Sequence, residues 1–150
     1  MKVFGVITLV IVVGVFGYWF FNQSQKEVDL DMVTIQSGSG VEIVAKVADT
    51  ETERRKGLSF TPSLSEQEGM WFIFPEDGIY GIWMKDMQIP LDILWIDANF
   101  QIIHREINIS PETYPQTFSS TEKSRYVLEV PANTADKNGF LLGSEIFIQK

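Results

Sequence analysis

An uncharged run of 19 residues, from Val3 to Phe21, is the feature that most constrains the fold of this 150-residue chain. As a helix it would span roughly 28 Å at about 1.5 Å per residue, close to a bilayer's hydrocarbon thickness of about 30 Å. Aromatic residues crowd its end from Tyr18 to Phe21, where amphipathic rings favour the headgroup region. The run predicts a single transmembrane helix, so a folded domain has to come from the residues after it.

A cleaved signal peptide is the alternative interpretation of this run. Signal peptides have a shorter apolar core, about 7 to 15 residues, followed by a site of small residues. Residues 20–25 offer no such site, and the chain has no cysteine for lipoprotein processing. We therefore predict a retained anchor over residues 1–21, with the membrane as a partner through residues 3–21. The expected location is the cell membrane, single-pass, with the C-terminal domain outside the cytoplasm.

The charge balance beyond the anchor excludes one class of partner. From Glu27 onward the chain carries 10 basic and 20 acidic residues, a net charge near −10. Nucleic-acid binding needs a basic surface against the phosphates, so we predict no nucleic-acid partner. His104 is the only histidine, cysteine is absent and no aspartate-rich calcium loop occurs, so the sequence predicts no metal site and no cofactor.

The rest of the chain divides into a linker and a domain. Residues 22–40 are polar and end in a Gly- and Ser-rich stretch, which predicts a flexible linker, although Met32 to Ile35 can alternatively form a first strand. The exported domain is then predicted over residues 41–150. Its short apolar segments, separated by turn residues, predict strands at 41–47, 69–74, 81–85, 91–96, 100–109, 125–130 and 145–149.

Two short helices interrupt the predicted strands. The first, over residues 49–56, has the capping-box pair Thr50 and Glu53 and ends before Gly57. The second, over residues 131–137, begins at a proline. The polar segment 110–123 predicts a functional loop or flap. The expected fold class is mainly β with two short helices, a compact barrel-like or two-sheet domain preceded by a single transmembrane helix.

The candidate site centres on residues 83–97, where Trp, Met, Lys and Asp side chains surround one Pro in an otherwise apolar run. An isolated buried charge is costly, so these charges must be paired or lie at a wet edge. Asp92 is expected to pair with Lys85 or Arg55, or to bond to backbone at a strand start. Lys85 is either a ligand anchor or a strand-edge charge, and Trp83 either stacks on a sugar ring or fills the core.

Paired carboxylates are the remaining catalytic possibility. Acid–base hydrolysis needs two carboxyl groups at a fixed separation in a cleft, and Asp86, Asp92 and Glu129 are candidates. No phosphate loop or nucleophile elbow accompanies them, so catalytic residues stay unassigned. The candidate ligand-binding residues are Arg55, Trp83, Lys85, Asp86, Asp92 and Glu129.

Five segments, in order and at matching spacing, are similar to a known family. They are Arg55 to Leu58, Gly69 to Phe74, Trp83 to Lys85 with Ile89 to Ile93, Ile96 with Asp97, and Tyr126 to Val130 with Gly139 and Gly143. Over residues 41–148 the chain resembles the bacterial and archaeal domain of unknown function 192 family. The resemblance implies a small mainly-β domain, often with an N-terminal signal or anchor, and no established activity.

Three positions depart from the family pattern. Ser59 stands where the family tends to have Met, and Pro131 to Asn133 replaces a small Ala-Gly pair. Asp86 and Met87 stand where an Asn-Thr pair is usual. Position 86 therefore carries a charge in place of a neutral amide, which bears on any role of that residue.

Two classes of function remain. The first is a membrane-anchored binding or accessory module of the cell envelope, which recognises a small molecule, glycan or partner protein through the edge from Trp83 to Asp92. The second is a hydrolase that uses Asp86, Asp92 or Glu129 as acid and base. The first is favoured, and the sequence leans against an enzyme, because the domain offers an aromatic and charged edge without a catalytic signature.

Overall fold

The computed structural model describes residues 32–149. The predicted anchor over residues 1–21 lies outside the described residues. Between residues 32 and 149, no helix is long and apolar enough to cross a membrane.

The described chain is built from strands, with one α-helix and one 3₁₀ helix. In chain order the elements are β1 (Met32–Gln36), β2 (Glu42–Ala48), α1 (Glu51–Lys56), β3 (Glu68–Gly78), β4 (Ile82–Trp83), β5 (Leu91–Ile96), β6 (Ile102–Ile109), the 3₁₀ helix (Pro111–Thr113), β7 (Thr117–Phe118), β8 (Ser124–Pro131) and β9 (Phe147–Gln149).

Seven strands form one sheet in the order β6-β5-β8-β3-β2-β1-β9, and β4 pairs with β7 in a second, two-stranded sheet. The β2–β3 pair is parallel, and the other pairs are antiparallel. The segment before β9 meets the start of β6, where the Ile146 N–H donates to the Phe100 carbonyl at 2.9 Å. The large sheet therefore curls into a barrel, and the prediction of a mainly-β fold with two sheets is confirmed.

The large sheet is covered on both faces. One cluster fills the barrel interior and includes Ile35, Leu94, Leu128 and Phe140. A second cluster covers the outer face under α1 and the small sheet, and includes Met70, Met84 and Trp95. Every residue of β5 is buried because β5 contributes to both clusters. Its polar residue, Asp92, is therefore enclosed as well.

Local signals for α1 are confirmed. The Thr50 side chain accepts the Glu53 N–H at 3.2 Å, while the Glu53 carboxylate accepts the Thr50 N–H at 3.0 Å. Gly57 ends the helix with a positive φ of 50°. These reciprocal bonds form the capping box that the sequence predicted.

The structure differs from the sequence-based expectation at two places. Part of the expected linker is folded, because Met32–Gln36 forms β1, as the alternative interpretation allowed, and the Ser37 that follows is buried. The helix expected over residues 131–137 is wrong, since after β8 the chain forms turns instead. Asn133 has a positive φ of 65°, and its N–H bonds to β5 rather than to a preceding helical carbonyl.

Candidate functional site

Glu129 is the acidic side chain that the β8 pairing places at the outer face of the large sheet. It lies between Met70 of β3 and Ile93 of β5, both members of the outer core cluster. Only 5% of the residue is exposed. Burial raises the pKa of Glu129 to about 8, because a low-dielectric setting disfavours the charged form.

The carboxyl group of Glu129 has no protein partner among the described residues. No hydrogen bond or ion pair to residues 32–149 holds it, and burial is the one cause of its raised pKa. In the same part of the chain, every fully enclosed side-chain oxygen or nitrogen does have a partner. The Glu129 oxygens must therefore reach open space, and the space available is a pocket whose wall includes this residue.

The Glu129 pocket has a volume of about 60 Å³ and lies between α1 and the chain around β4. One wall is the helix end and the turn after it, and the opposite wall is formed by β4 and the residues that follow. The lining residues are Arg54, Arg55, Lys56, Gly57, Leu58, Ser59, Phe72, Gly81, Ile82, Trp83, Lys85, Met87 and Glu129. The Ser59 hydroxyl donates to the Lys85 carbonyl at 3.0 Å, which joins the two walls.

Basic side chains are concentrated at this pocket. The described part of the chain has nine Lys and Arg against 17 Asp and Glu, and four of the nine line the pocket. The Arg54 guanidinium is committed to the fold, since it donates to the carbonyls of Asp49 and Ile73. The remaining three basic residues are Arg55, Lys56 and Lys85.

Two of these three cations have acidic neighbours in exposed ion pairs. Arg55 lies 2.9 Å from Glu51, and Lys85 lies 3.5 Å from Asp86. Exposed pairs of this kind hold their partners weakly, with about 0 to 1 kcal/mol each. These cations are therefore available to a ligand at the pocket mouth.

An aromatic pair lies beside the pocket. Trp83 is 49% exposed and Tyr114 is 44% exposed, and their ring centroids are 6.0 Å apart in an edge-to-face arrangement. The β4–β7 pairing, with Trp83 opposite Thr117, brings the segment that carries Tyr114 to this place. A Cβ on Gly81 would lie 2.6 Å from the Thr117 methyl, so the close approach of the two strands needs glycine here.

Comparison with known proteins gives the family. The profile of DUF192, described as an uncharacterized ACR, matches residues 32–148. The chain belongs to the DUF192 family. The resemblance drawn from the sequence is thereby confirmed. The match also covers β1, for which the sequence allowed either a linker or a strand. The comparison with curated proteins found no match.

Two solved structures are similar to this DUF192 chain. A protein of Sinorhizobium meliloti 1021, described only provisionally as a transcription regulator, is 28% identical with a TM-score of 0.75, and the match covers 81% of this chain and 97% of that one. A protein of unknown function from Novosphingobium aromaticivorans DSM 12444 is 27% identical with a TM-score of 0.70, over 79% and 84% of the two chains.

Asp92 of the DUF192 domain does not belong to the pocket. Its carboxylate accepts four backbone N–H groups, from Asn108 at 2.8 Å and from Asn133, Thr134 and Ala135 at 2.9–3.1 Å. The expectation that Asp92 bonds to backbone is confirmed, and the alternative that it pairs with Lys85 or Arg55 is wrong. Asp92 is a structural residue that holds the turn after β8 against β5 and β6.

Asp86 lies at the edge of the candidate site without lining the pocket. Its backbone has a positive φ of 57°, and its carbonyl accepts the Phe60 N–H at 2.9 Å. Its carboxylate contacts the Lys85 ammonium. Four of the six candidate residues (Arg55, Trp83, Lys85 and Glu129) therefore line one pocket, whereas Asp86 and Asp92 do not.

Tyr114 and Ser59 are the site residues that the sequence did not indicate. Tyr114 lies in the segment 110–123, which was expected to form a functional loop or flap. That expectation is the sequence feature that could have pointed to Tyr114. Ser59 was noticed only as a departure from the family pattern. Neither residue can be connected to Trp83 or Lys85 without the strand pairing and the cross-wall hydrogen bond.

Proposed function

We propose that this DUF192 protein is a membrane-tethered binding module of the cell envelope, and that its ligand places a polar group in the Glu129 pocket. The observation that carries the proposal is a buried carboxyl group with no partner in the described protein, facing a pocket with cations at its mouth. A hydrogen bond formed by such a group contributes about 0.5 to 1.5 kcal/mol. A ligand that bonds to Glu129 would supply a partner that residues 32–149 do not.

The arrangement favours binding over hydrolysis. Acid–base hydrolysis of a glycosidic bond uses two carboxyl groups on either side of the bond. Asp92 pairs with Val130 in the register between β5 and β8, so its side chain points to the face opposite Glu129. Asp86 is not among the pocket residues. Among residues 32–149, Glu129 is thus the one carboxylic acid that lines the pocket, and these residues supply no second acid there for the hydrolase alternative.

Nucleic-acid binding is not proposed, although one similar structure carries the provisional description of a transcription regulator. The domain has almost twice as many acidic as basic residues. Four basic residues around a 60 Å³ pocket suit a small group rather than a phosphate backbone. The ligand classes that we propose are a small molecule, a glycan, or a side chain of an envelope protein.

The membrane tether in this proposal depends on the sequence of residues 3–21. Full-length protein should stay in the membrane pellet after extraction with alkaline carbonate. Edman sequencing of the mature protein should not start near Ser24. A mature N-terminus at that position would contradict the tether and leave the binding proposal unaffected.

Binding itself is tested with full-length protein in lipid nanodiscs. Ligand-observed NMR with glucose, N-acetylglucosamine, glucuronate and acetate should detect at least one ligand. Replacing Trp83 with Ala should weaken that binding about tenfold, because an aromatic contact surface contributes roughly 1 to 2 kcal/mol. Phe147→Ala is the matched control, since Phe147 is 48% exposed and lies on β9 away from the pocket.

Both aromatic variants should melt close to the unchanged protein, because exposed substitutions usually change stability by less than about 0.5 kcal/mol. Equal ligand affinity for the Trp83 and Phe147 variants would contradict the placement of the site. Absence of binding by every probe would count against the binding function for these ligand classes.

A further inference from the structure

We propose that the ligand is an acidic saccharide whose carboxylate enters the Glu129 pocket while its ring packs on Trp83. This inference rests on the proposed binding function and adds the chemical class of the ligand. Three independent features of the site lead to it: the size of the pocket, the charge at its mouth, and the aromatic surface beside it.

The size of the pocket selects a head group rather than a whole ligand. A volume of about 60 Å³ is less than half of the roughly 150 Å³ of a protein cavity that holds benzene. A planar carboxylate with two oxygens matches this space, whereas a pyranose ring is far too large for it. The remainder of the ligand must lie outside the pocket mouth, and Trp83 is the large exposed side chain there.

The charge around the pocket selects an anion. Arg54, Arg55 and Lys56 of α1 lie on one side and Lys85 on the other, and among the residues that the structure describes Glu129 is the one acid in the lining. Glu51 and Asp86 contact two of these cations from outside the lining, in exposed pairs of 2.9 Å and 3.5 Å. Clustered charge of one sign in a recess raises the local concentration of the opposite ion, even in a domain that is acidic overall.

Glu129 complements a carboxylate because it enters the complex as a neutral acid. Burial raises the pKa of Glu129 to about 8, so the group is protonated at neutral pH and has an O–H to donate. A hydrogen bond from a carboxylic acid to a carboxylate is charge-assisted, and such bonds are roughly twice as strong as neutral ones. Above pH 8 both groups become anions, and the same contact turns repulsive.

The aromatic pair supplies the surface for a ring. Trp83 exposes half of its surface, and Tyr114 meets it edge-to-face, which fixes one side of the indole. A pyranose has an apolar face of C–H groups, and its burial against indole removes apolar surface from water. A uronic acid carries a carboxylate on its ring, and this carboxylate would then lie next to the pocket mouth.

The test compares three sugars that differ at one carbon: glucuronate, glucose and the neutral amide glucuronamide. Their affinities for full-length protein in nanodiscs are measured at pH 6.5 and pH 9. Glucuronate should bind about tenfold more tightly than either neutral sugar at pH 6.5. Its affinity should fall by about tenfold at pH 9, where Glu129 is ionised.

Variants at Glu129 separate hydrogen bonding from packing. Glu129→Gln keeps an N–H donor, so its affinity for glucuronate at pH 6.5 should stay within about threefold of the unchanged protein's. Because glutamine does not titrate, this affinity should not fall at pH 9. Glu129→Leu removes the donor and should lose about tenfold in affinity. Lys85→Ala should lower the affinity for glucuronate but not for glucose. Lys123 does not line the pocket, so Lys123→Ala should change neither affinity.

The outcomes distinguish the two proposals. If glucose binds as tightly as glucuronate and both depend on Trp83, the acidic class is overturned while the binding function stands. If acetate binds as tightly as glucuronate, or binding ignores Trp83, the saccharide part is overturned. If glucuronate binds equally at pH 6.5 and pH 9, the role of neutral Glu129 is overturned. If no probe binds, the inference falls together with the function it rests on.

Discussion

Asp92 and Glu129 occupy adjacent strands of one sheet and differ in almost every respect that matters for function. In the register between β5 and β8, Asp92 pairs with Val130 and Ile93 pairs with Glu129, so the two acids are neighbours on opposite faces. Both are buried. Asp92 accepts four backbone N–H groups, whereas the Glu129 carboxyl meets no partner among the described residues and borders a pocket.

The comparison shows how two buried acids in similar sequence settings serve different ends. Four backbone N–H groups donate to the one carboxyl group of Asp92, and these bonds hold together the elements that supply them. A carboxyl group that is desolvated without such bonds stays neutral at physiological pH and keeps its bonding capacity for something else. The first arrangement contributes to the fold, and the second is a cost to the fold that a ligand can offset.

The largest expected effect is on the structural acid. Replacing Asp92 with Asn puts an amide NH₂ group in place of one acceptor oxygen, which leaves backbone N–H groups without an acceptor. The free energy of unfolding should fall by about 3 to 5 kcal/mol, measured by urea denaturation of the full-length protein in detergent. A loss below about 1 kcal/mol would mean that these four hydrogen bonds do not anchor the turn.

The next effect concerns the pH dependence caused by Glu129. Its folded pKa of about 8 exceeds the unfolded value of 4.5, so the folded state holds the proton more tightly. The stability from this residue is complete below pH 4.5 and is lost as the pH rises toward 8. Relative to Glu129→Gln, the free energy of unfolding of the unchanged protein should fall by about 3 kcal/mol between pH 4.5 and pH 7. The expected slope is about 1.4 kcal/mol per pH unit.

The glutamine variant is the reference in that experiment because every other titrating group is common to both proteins. Urea titrations at a series of pH values give the difference in unfolding free energy directly. Parallel pH profiles for the two proteins would show that burial does not raise the pKa of Glu129 in the folded state.

The smallest effect is expected at Asp86. Its contact with Lys85 is exposed, with 42% and 49% of the two side chains accessible, and exposed pairs contribute about 0 to 1 kcal/mol. Asparagine tolerates the positive φ at this position, so Asp86→Asn should preserve the backbone as well. A melting temperature lowered as much as in Asp92→Asn would show that the structural acid has been misplaced.

The sequence predicted the local elements better than the site. The capping box at Thr50 and Glu53, the alternation in β2 and the apolar run of β3 are local patterns, and each produced the expected element. The turn after β8 was predicted as a helix because its proline is a common first helical residue. Its N–H groups instead bond to Asp92, which is about 40 residues earlier in the chain.

The distinction between the two acids lies beyond local sequence. Asp92 follows Leu91 and precedes Ile93, and Glu129 follows Leu128 and precedes Val130, so their neighbours are nearly equivalent. Only the pairing of β5 with β8 assigns one acid to the barrel interior and the other to the outer face. Four of the six candidates line one pocket, and their role in ligand binding stays a prediction.

The titration of the Glu129 carboxyl group distinguishes most directly between a neutral acid without a partner and an ionised carboxylate. Glutamate labelled with ¹³C at the side-chain carboxyl reports each group by NMR, and the signal missing in Glu129→Gln assigns this residue. We expect a titration midpoint of about 8 in the folded protein without ligand. A midpoint near the ordinary value of 4.5 would show an ionised, solvated carboxylate and would contradict the unpartnered acid on which the proposed site depends.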